Sequence, residues 1–199
     1  AITKVLDRQP LYHIEKKLDR EHHWNIPRQT MAKWLIRLAD PLNPLLSLMK
    51  DVIIDYDIAH VDATGLQVLN EPNRPAESKS YAYCIRGGPP DKHVTLFDYT
   101  AYNNQDYIVN IFEGFKGVIH SDAASVYNKI GNRQEIQMSY CHAHARRKFE
   151  TVYKAIKKKG GLAKEALIMY KALYKLERFA TDQNFTPQKR YELRQEKSK

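Results

Sequence analysis

The sequence is poor in cysteine and has no long apolar run. Only two cysteines, Cys84 and Cys141, occur among 199 residues, which is too few for a disulfide framework and predicts a reducing, cytosolic setting. No apolar stretch reaches the roughly 20 residues that a membrane-spanning helix needs, and no signal segment opens the chain. We therefore expect a cytoplasmic protein with no membrane partner.

Acidic residues are also scarce relative to basic ones. Lys and Arg total 32 against 23 Asp and Glu, so the formal net charge is +9 at pH 7, while the hydrophobic content of 43% indicates a folded globular protein. A basic domain of this size commonly binds a polyanion, and nucleic acid is the leading candidate. A basic surface that serves only solubility is the alternative that charge leaves open.

The first region, residues 1–48, has a helical pattern. Apolar residues recur at three- and four-residue spacing in two segments that are separated by "WNIPRQ", and Pro41 and Pro44 are predicted to end the second helix. The pair predicts a helix-turn-helix, in which early residues of the second helix contact DNA; a plain helical hairpin with a basic solvated face is the alternative. The predicted DNA-binding residues of this helix are Arg28, Gln29, Thr30, Lys33 and Arg37.

The second region, residues 51–142, changes to the pattern of a sheet. β-Branched and aromatic residues predict strands in "DVIIDYDIAHVDAT", "SYAYCIRG", "HVTLFDYT", "GVIHSD" and "EIQMSYC", with helices in "NNQDYIVNIFEGF" and "ASVYNKI". Three strands in succession predict an antiparallel meander, and the later alternation predicts parallel additions. We therefore predict an α/β fold with a mixed five-stranded sheet flanked by helices.

Two predicted strands carry the same local motif. "IAHVDATGLQ" and "VIHSDAASVY" each place His, one residue and Asp after an apolar run, at Asp62 and Asp122. If the strands lie side by side and end at these residues, the two like charges need a cation between them, and Mg²⁺ prefers such oxygen ligands. With a third acid, two such ions support phosphoryl transfer. The alternative is that each Asp caps a turn or helix.

The motifs "HVDAT", "GVIHSDAASVYN" and "CHAHARRKF", in this order, resemble the insertion sequence 66 family of transposases. The resemblance extends from about Pro10 to Phe149. It implies a ribonuclease H-like fold, a DDE set of acids, and metal-dependent DNA strand cleavage and strand transfer with Mg²⁺ or Mn²⁺. It makes Asp62 the first catalytic acid and metal ligand and Asp122 the second. The resemblance also implies that the partners are the ends of the mobile element and target DNA, with accessory transposition proteins or self-association. It further implies a location at the nucleoid.

The sequence departs from the family pattern at the third acid. The family places a glutamate beyond a helical insertion, in an "NNxAER"-like segment that this chain lacks, and Glu150, Glu165 and Glu177 are candidates by composition only. We therefore predict a transposase portion that is inactive by itself; the alternative is a non-catalytic DNA-binding remnant. Three further departures leave the metal ligands intact: Ala63, Ala123 and His142.

The third region, residues 143–199, is basic and helical and is predicted to begin the insertion. Arg146, Arg147, Lys148 and the lysine run 157–159 are predicted to contact DNA phosphates, with a solvated charged helix face as the alternative. "CHAH" lacks the four ligands of a zinc site, so a structural role is expected for its cysteine and second histidine.

Overall fold

The computed structural model describes residues 1–157 and 160–198. Within these ranges, no helix is both long and apolar enough to cross a membrane. A short 3-10 turn spans Ser125–Tyr127. The other elements are α1 (Ile2–Val5), α2 (Leu11–His22), α3 (Arg28–Arg37), α4 (Ala39–Ile54), β1 (Ile58–Gln67), β2 (Lys79–Gly87), β3 (Val94–Thr100), α5 (Gln105–Ile111), β4 (Gly117–Ser121), α6 (Asn128–Gly131), β5 (Ile136–Tyr140), α7 (His142–Ala155), α8 (Leu162–Asp182) and α9 (Pro187–Lys197).

The five strands form one mixed sheet in the order β3-β2-β1-β4-β5. β1, β2 and β3 pair antiparallel in succession, whereas β4 joins β1 and β5 joins β4 in parallel. Helices connect the parallel strands, as such crossovers require. The prediction of an α/β fold with a mixed five-stranded sheet flanked by helices is therefore confirmed, and β1 is its central strand.

The hydrophobic core lies on one face of this sheet. In β1 the side chains of Ala59 and Val61 are buried, whereas those of His60 and Asp62 are exposed, because successive residues of a strand point to opposite faces. Burial of the apolar set thus directs Asp62 to the other face, which we call the open face. The core consists of Ile53, Ala59, Val61, Tyr83, Ile85, Ile108, Phe112, Phe115, Ile119, Val126, Tyr127, Ile130 and Ile136.

Helix α4 differs from the sequence predictions at three points. Residues 51–54, predicted to begin the first strand, form its last turn, and the boundary predicted between residues 48 and 51 falls inside it. Their β-branched residues serve packing rather than pairing: α4 packs against β2 and β3, and Ile53, only 2% exposed, fits against Gly87. Pro41 and Pro44 do not end a helix either. Pro41 lies in the first turn of α4, where no intrahelical N–H bond is lost.

The terminal regions are helical, as expected. α2 packs on α3, and Met31 of α3 is buried. After the sheet, α7 packs on α8 and α8 packs on α9. The terminal helices therefore pack chiefly on neighbouring helices.

Candidate active site

Parallel pairing of β1 with β4 places the two repeated motifs side by side. The register pairs Ile58 with Val118 and His60 with His120, each 60 positions apart, as Asp62 and Asp122 are. Neighbouring strands lie about 4.8 Å apart, so the two acids emerge at adjacent places on the sheet. The two repeated motifs therefore occupy equivalent positions along the paired strands.

Asp62 does not end a strand, contrary to the prediction. β1 continues to Gln67 because its other edge pairs with β2 that far, with Asp62 opposite Cys84. The ladder with β4 stops earlier, at the pair His60 and His120. Asp62 therefore lies where the central strand loses its parallel neighbour, and Asp122 is the first residue beyond β4.

Each carboxylate accepts a hydrogen bond from a nearby backbone amide. The N–H of Ala63 donates to Asp62 Oδ1 at 3.0 Å, and the N–H of Ala124 donates to Asp122 Oδ1 at 3.2 Å. The second contact closes an Asx turn before the 3-10 turn. Because a carboxylate has about four acceptor positions on two oxygens, this capping leaves oxygen available for another ligand.

Both acids line one cleft of about 730 Å³, which we call the acid cleft. The His60 and His120 rings meet edge to face there, with centroids 5.1 Å apart, and His120 Nδ1 lies 3.1 Å from Ser139 Oγ. Partial loss of solvent, followed by the positive charges of His120 and Arg86, lowers the pKa of His60 and favours its neutral form at neutral pH. Other polar residues that line the cleft are Cys84, Arg86, His93, Ser121, Cys141 and His144.

Tyr127 is the last residue of the 3-10 turn that comes after Asp122, and it is 2% exposed. Its hydroxyl has no hydrogen-bond partner among residues 1–157 and 160–198. Burial, followed by the negative charge of Asp122, raises the pKa of this hydroxyl, with a smaller effect of Asp62. A protonated, unpartnered hydroxyl thus lies within the electrostatic reach of both acids.

Among the residues that the structure describes, two carboxylates line the acid cleft, those of Asp62 and Asp122. Within the described ranges, no three His, Cys, Asp or Glu side chains come together as a metal site. Glu150 instead pairs with Arg146 at 3.2 Å and Lys154 at 3.1 Å. Glu177 pairs with two arginines of α9, and Glu165 is an exposed residue of α8. None of the three candidate third acids lines the acid cleft.

The residues predicted to bind DNA lie on α3 and α7. On α3, Thr30 is half-buried and the other four are exposed; on α7, Arg146 is half-buried, and Arg147 and Lys148 are exposed. Lys158 and Lys159 of the predicted lysine run lie outside the described residues. The α3 residues with exposed side chains are Arg28, Gln29, Lys33 and Arg37.

The sequence did not indicate that Arg86 and His93 line the acid cleft. The alternation of "SYAYCIRG" puts Cys84 and Arg86 on one strand face, but only pairing of Cys84 with Asp62 shows that this face is the open one. At the other wall, the N–H of Cys141 donates to Ser121 O at 2.8 Å, which joins the start of α7 to β4. His144 Nδ1 is buried without a partner in the described chain.

The chain that carries these two acids also matches a known protein family in sequence. A profile described as "Transposase IS66 family" matches residues 1–199, and the chain belongs to this family of transposases. The "Uncharacterized protein y4qI" of Sinorhizobium fredii (strain NBRC 101917 / NGR234) is 27% identical over 213 residues, covering 100% of this chain and 38% of the relative. The chain thus spans less than half of that relative's length.

One structural match comes from the cryo-EM structure of the simian T-cell lymphotropic virus intasome in complex with PP2A regulatory subunit B56 gamma. The match has a TM-score of 0.34 and 10% identity, and it covers 68% of this chain and 45% of that chain. A TM-score of this size is too low to establish a shared fold.

Proposed function

We propose that this chain is the catalytic portion of a DDE-type DNA transposase with a ribonuclease H-like sheet, in which Asp62 and Asp122 are the first two catalytic acids. The observation that carries the proposal is the β1–β4 register, which brings these acids into one cleft. Membership in the transposase IS66 family supports it. The substrates are the ends of a bacterial insertion sequence and target DNA.

The donor set of the acid cleft suits Mg²⁺ or Mn²⁺. These ions take carboxylate oxygens and, in the case of Mg²⁺, are commonly bound through one or two carboxylates together with waters. Asp62 and Asp122 provide two carboxylates, each with oxygen positions that their backbone contacts leave free. When bound, a divalent cation supplies activation of water and stabilisation of the leaving oxygen of a phosphodiester.

The protein's own contribution is to hold the two acids in place. Asp62 projects from the central strand, whose core face is locked by buried Ala59 and Val61. The turn-capping contact with Ala124 N fixes Asp122. Because both backbones are anchored, the acids need little reorganisation to receive a ligand, as preorganised catalytic groups require.

The DNA contacts proposed from the sequence remain proposals on separate helices. We assign residues 1–48 to a helix-turn-helix-like DNA-binding segment, 51–142 to the catalytic core and 143–199 to the start of a helical insertion, with α4 connecting the first two. Exposed cations on α3 and α7 support phosphate contacts. Accessory transposition proteins, self-association and a location at the nucleoid belong to the same proposal.

The two-carboxylate cleft favours inactivity of this portion by itself. A DDE enzyme needs a third acid, and the described residues place none in the acid cleft. A non-catalytic DNA-binding remnant is the second candidate, favoured by the same observation. Both candidates keep Asp62 and Asp122, and they differ in whether a third acid restores strand cleavage.

Calorimetric titration of the 199-residue chain with Mn²⁺ tests the proposed cation site. We expect the wild type to bind Mn²⁺, and Asp62→Asn and Asp122→Asn each to weaken binding at least about tenfold. Glu150→Gln is the matched control, since that carboxylate is paired outside the acid cleft. Metal binding that is unchanged in Asp62→Asn would contradict the proposed active site.

A labelled element-end duplex incubated with Mn²⁺ tests the chemistry. We expect no strand cleavage by this chain without a third acid supplied by the rest of a family member. Cleavage that disappears in Asp122→Asn would show that two acids suffice here. Cleavage that persists in that variant would place the activity elsewhere.

A further inference from the structure

A second large concavity lies between α7 and α8, away from the acid cleft. It measures about 1010 Å³, and we call it the α7–α8 groove. Its charged lining includes Arg146, Glu150 and Lys154 of α7, together with Lys164, Lys171 and Arg178 of α8. It shares no lining residue with the acid cleft.

The three α8 cations form a regular stripe. Lys164, Lys171 and Arg178 are seven positions apart, all are exposed, and all line the groove. Seven residues are nearly two helical turns, so the side chains share one face and are spaced about 10.5 Å apart along the axis. In residues 1–157 and 160–198 none of the three is in an ion pair.

Two of the three acids that line the groove, Glu150 and Glu177, are already paired with cations. Glu150 pairs with Arg146 and Lys154 of its own helix. Glu177 is bound by two arginines of α9, whose hydrogen bonds lower the pKa of this carboxyl to about 2. Each of these acids therefore meets two positive charges, and only Asp182, at the end of α8, lines the groove without a described ion pair. The lining therefore contains five basic residues against three acidic ones.

We propose that the α7–α8 groove binds the phosphate backbone of duplex DNA through Lys164, Lys171 and Arg178. This inference rests on the proposed function and adds a surface to it. The stripe is about 21 Å long, and duplex DNA presents a negative charge about every 1.7 Å of its axis. Each cation therefore has phosphates within reach.

The geometry indicates binding without base readout. Lysine ammonium groups act as point charges, and contacts to phosphates position a protein on DNA but carry no sequence information. The hydroxyls of Tyr153 and Tyr174, which also line the groove, are further donors of this sequence-independent kind. Of the predicted α7 contacts, Arg146 lines the groove, where it is paired with Glu150, whereas Arg147 and Lys148 do not line it.

Fluorescence anisotropy with a random-sequence duplex, in EDTA and over a range of salt concentrations, tests the inference. Lys171→Gln is compared with Lys175→Gln, a matched exposed lysine of the same helix that lies outside the groove. Each lost phosphate contact should reduce the slope of log K against log salt by about 0.9. We expect this change for Lys171→Gln, no change for Lys175→Gln, and a reduction of about 2.7 for the combined substitution of all three stripe residues.

Equal effects of Lys171→Gln and Lys175→Gln would overturn the inference, since they would reflect overall charge alone. An unchanged slope in the triple variant would also overturn it, as would an equal loss of binding to polyglutamate, which would indicate a site for acidic polypeptides. Circular dichroism verifies folding, and if the triple variant loses helix, the single variants decide.

The outcome is separable from that of the proposed active site. The stripe substitutions leave Asp62 and Asp122 in place, and DNA binding is measured in EDTA, so the anisotropy experiment does not depend on a cation in the acid cleft. A reduced salt slope in the stripe variants, together with no Mn²⁺ binding by the wild type, would contradict only the catalytic proposal. Mn²⁺ binding by the wild type, together with an unchanged salt slope in the stripe variants, would contradict only the inference about the α7–α8 groove.

Discussion

Substituting Asp62 by Asn should shift the stability of the protein in opposite directions without and with a divalent cation. Asn preserves the size of the side chain and the Oδ1 atom that accepts from Ala63 N but removes one of two like charges in the acid cleft. Without metal the variant should be more stable, because the repulsion with Asp122 is gone. With metal the wild type should be more stable, because it alone keeps both ligands.

The magnitude follows from the strand register. Residues at equivalent places on neighbouring strands are about 5 Å apart. Two unit charges at this separation repel by about 0.8 kcal/mol in a medium like water, which suits the exposed Asp62. If the wild type binds Mg²⁺ with a dissociation constant of about 1 mM, about 10 mM Mg²⁺ adds about 1.4 kcal/mol to its free energy of unfolding. The order of stabilities should therefore reverse.

Urea unfolding followed by far-ultraviolet circular dichroism measures both effects. Thermal unfolding provides a second readout, since a difference of 1 kcal/mol corresponds to a shift of about 2–4 °C for a chain of this size. Glu113→Gln, at an exposed acid outside the acid cleft, is the control for general effects of Mg²⁺. An increment from Mg²⁺ that survives in Asp62→Asn would refute the reasoning.

Three further substitutions test the packing at the start of β4, the buried hydroxyl of Tyr127 and the ion pairs of Glu177. Gly117→Ala should destabilise the protein by about 3 kcal/mol or more in urea unfolding, because Gly117 has φ of 132° and an added Cβ would lie 2.3 Å from Asp57 O; a neutral result would contradict this tight start of β4. Tyr127→Phe should raise the free energy of unfolding by about 1 kcal/mol, because it removes a buried hydroxyl without a described partner; a decrease would reveal a partner for the hydroxyl. Glu177→Gln should cost about 1–2 kcal/mol at pH 7 after allowance for solvent screening, since the side chain is 35% exposed and its pKa is lowered from 4.5 to about 2 by Arg194 and Arg190. That difference is fully present above pH 4.5 and should vanish as the pH falls towards 2; a difference that persists at low pH would contradict the ion-pair account.

The helices and strands were largely predictable because their signals are local. Alternation in "IAHVDATGLQ" predicted that His60 and Asp62 share a face, and burial of Ala59 and Val61 agrees. The apolar run at residues 51–54 led to a wrong prediction, because β-branched residues suit both a strand and a helix packed against the face of a sheet. Tertiary packing decided between these two structures.

The composition of the site was only partly predictable. The motifs singled out Asp62 and Asp122, and the structure places both in one cleft. Nothing in the local pattern could exclude Glu150, which follows the last strand closely. Its pairing with Arg146 and Lys154 follows from i,i+4 spacing along α7, whereas its position outside the acid cleft depends on where the fold places that helix.

Composition, periodicity and motif order are sufficient to establish a basic α/β protein, the strand faces and the two acids, since each depends on residues near one another in the chain. Three other features were decided by the tertiary structure. They are the shared register of β1 and β4, the position of Arg86 in the wall of the acid cleft, and the position of Lys164, Lys171 and Arg178 along a groove. They arise where segments distant in the chain meet. Such contacts depend on how crossover helices and the core position whole elements, which no local pattern specifies.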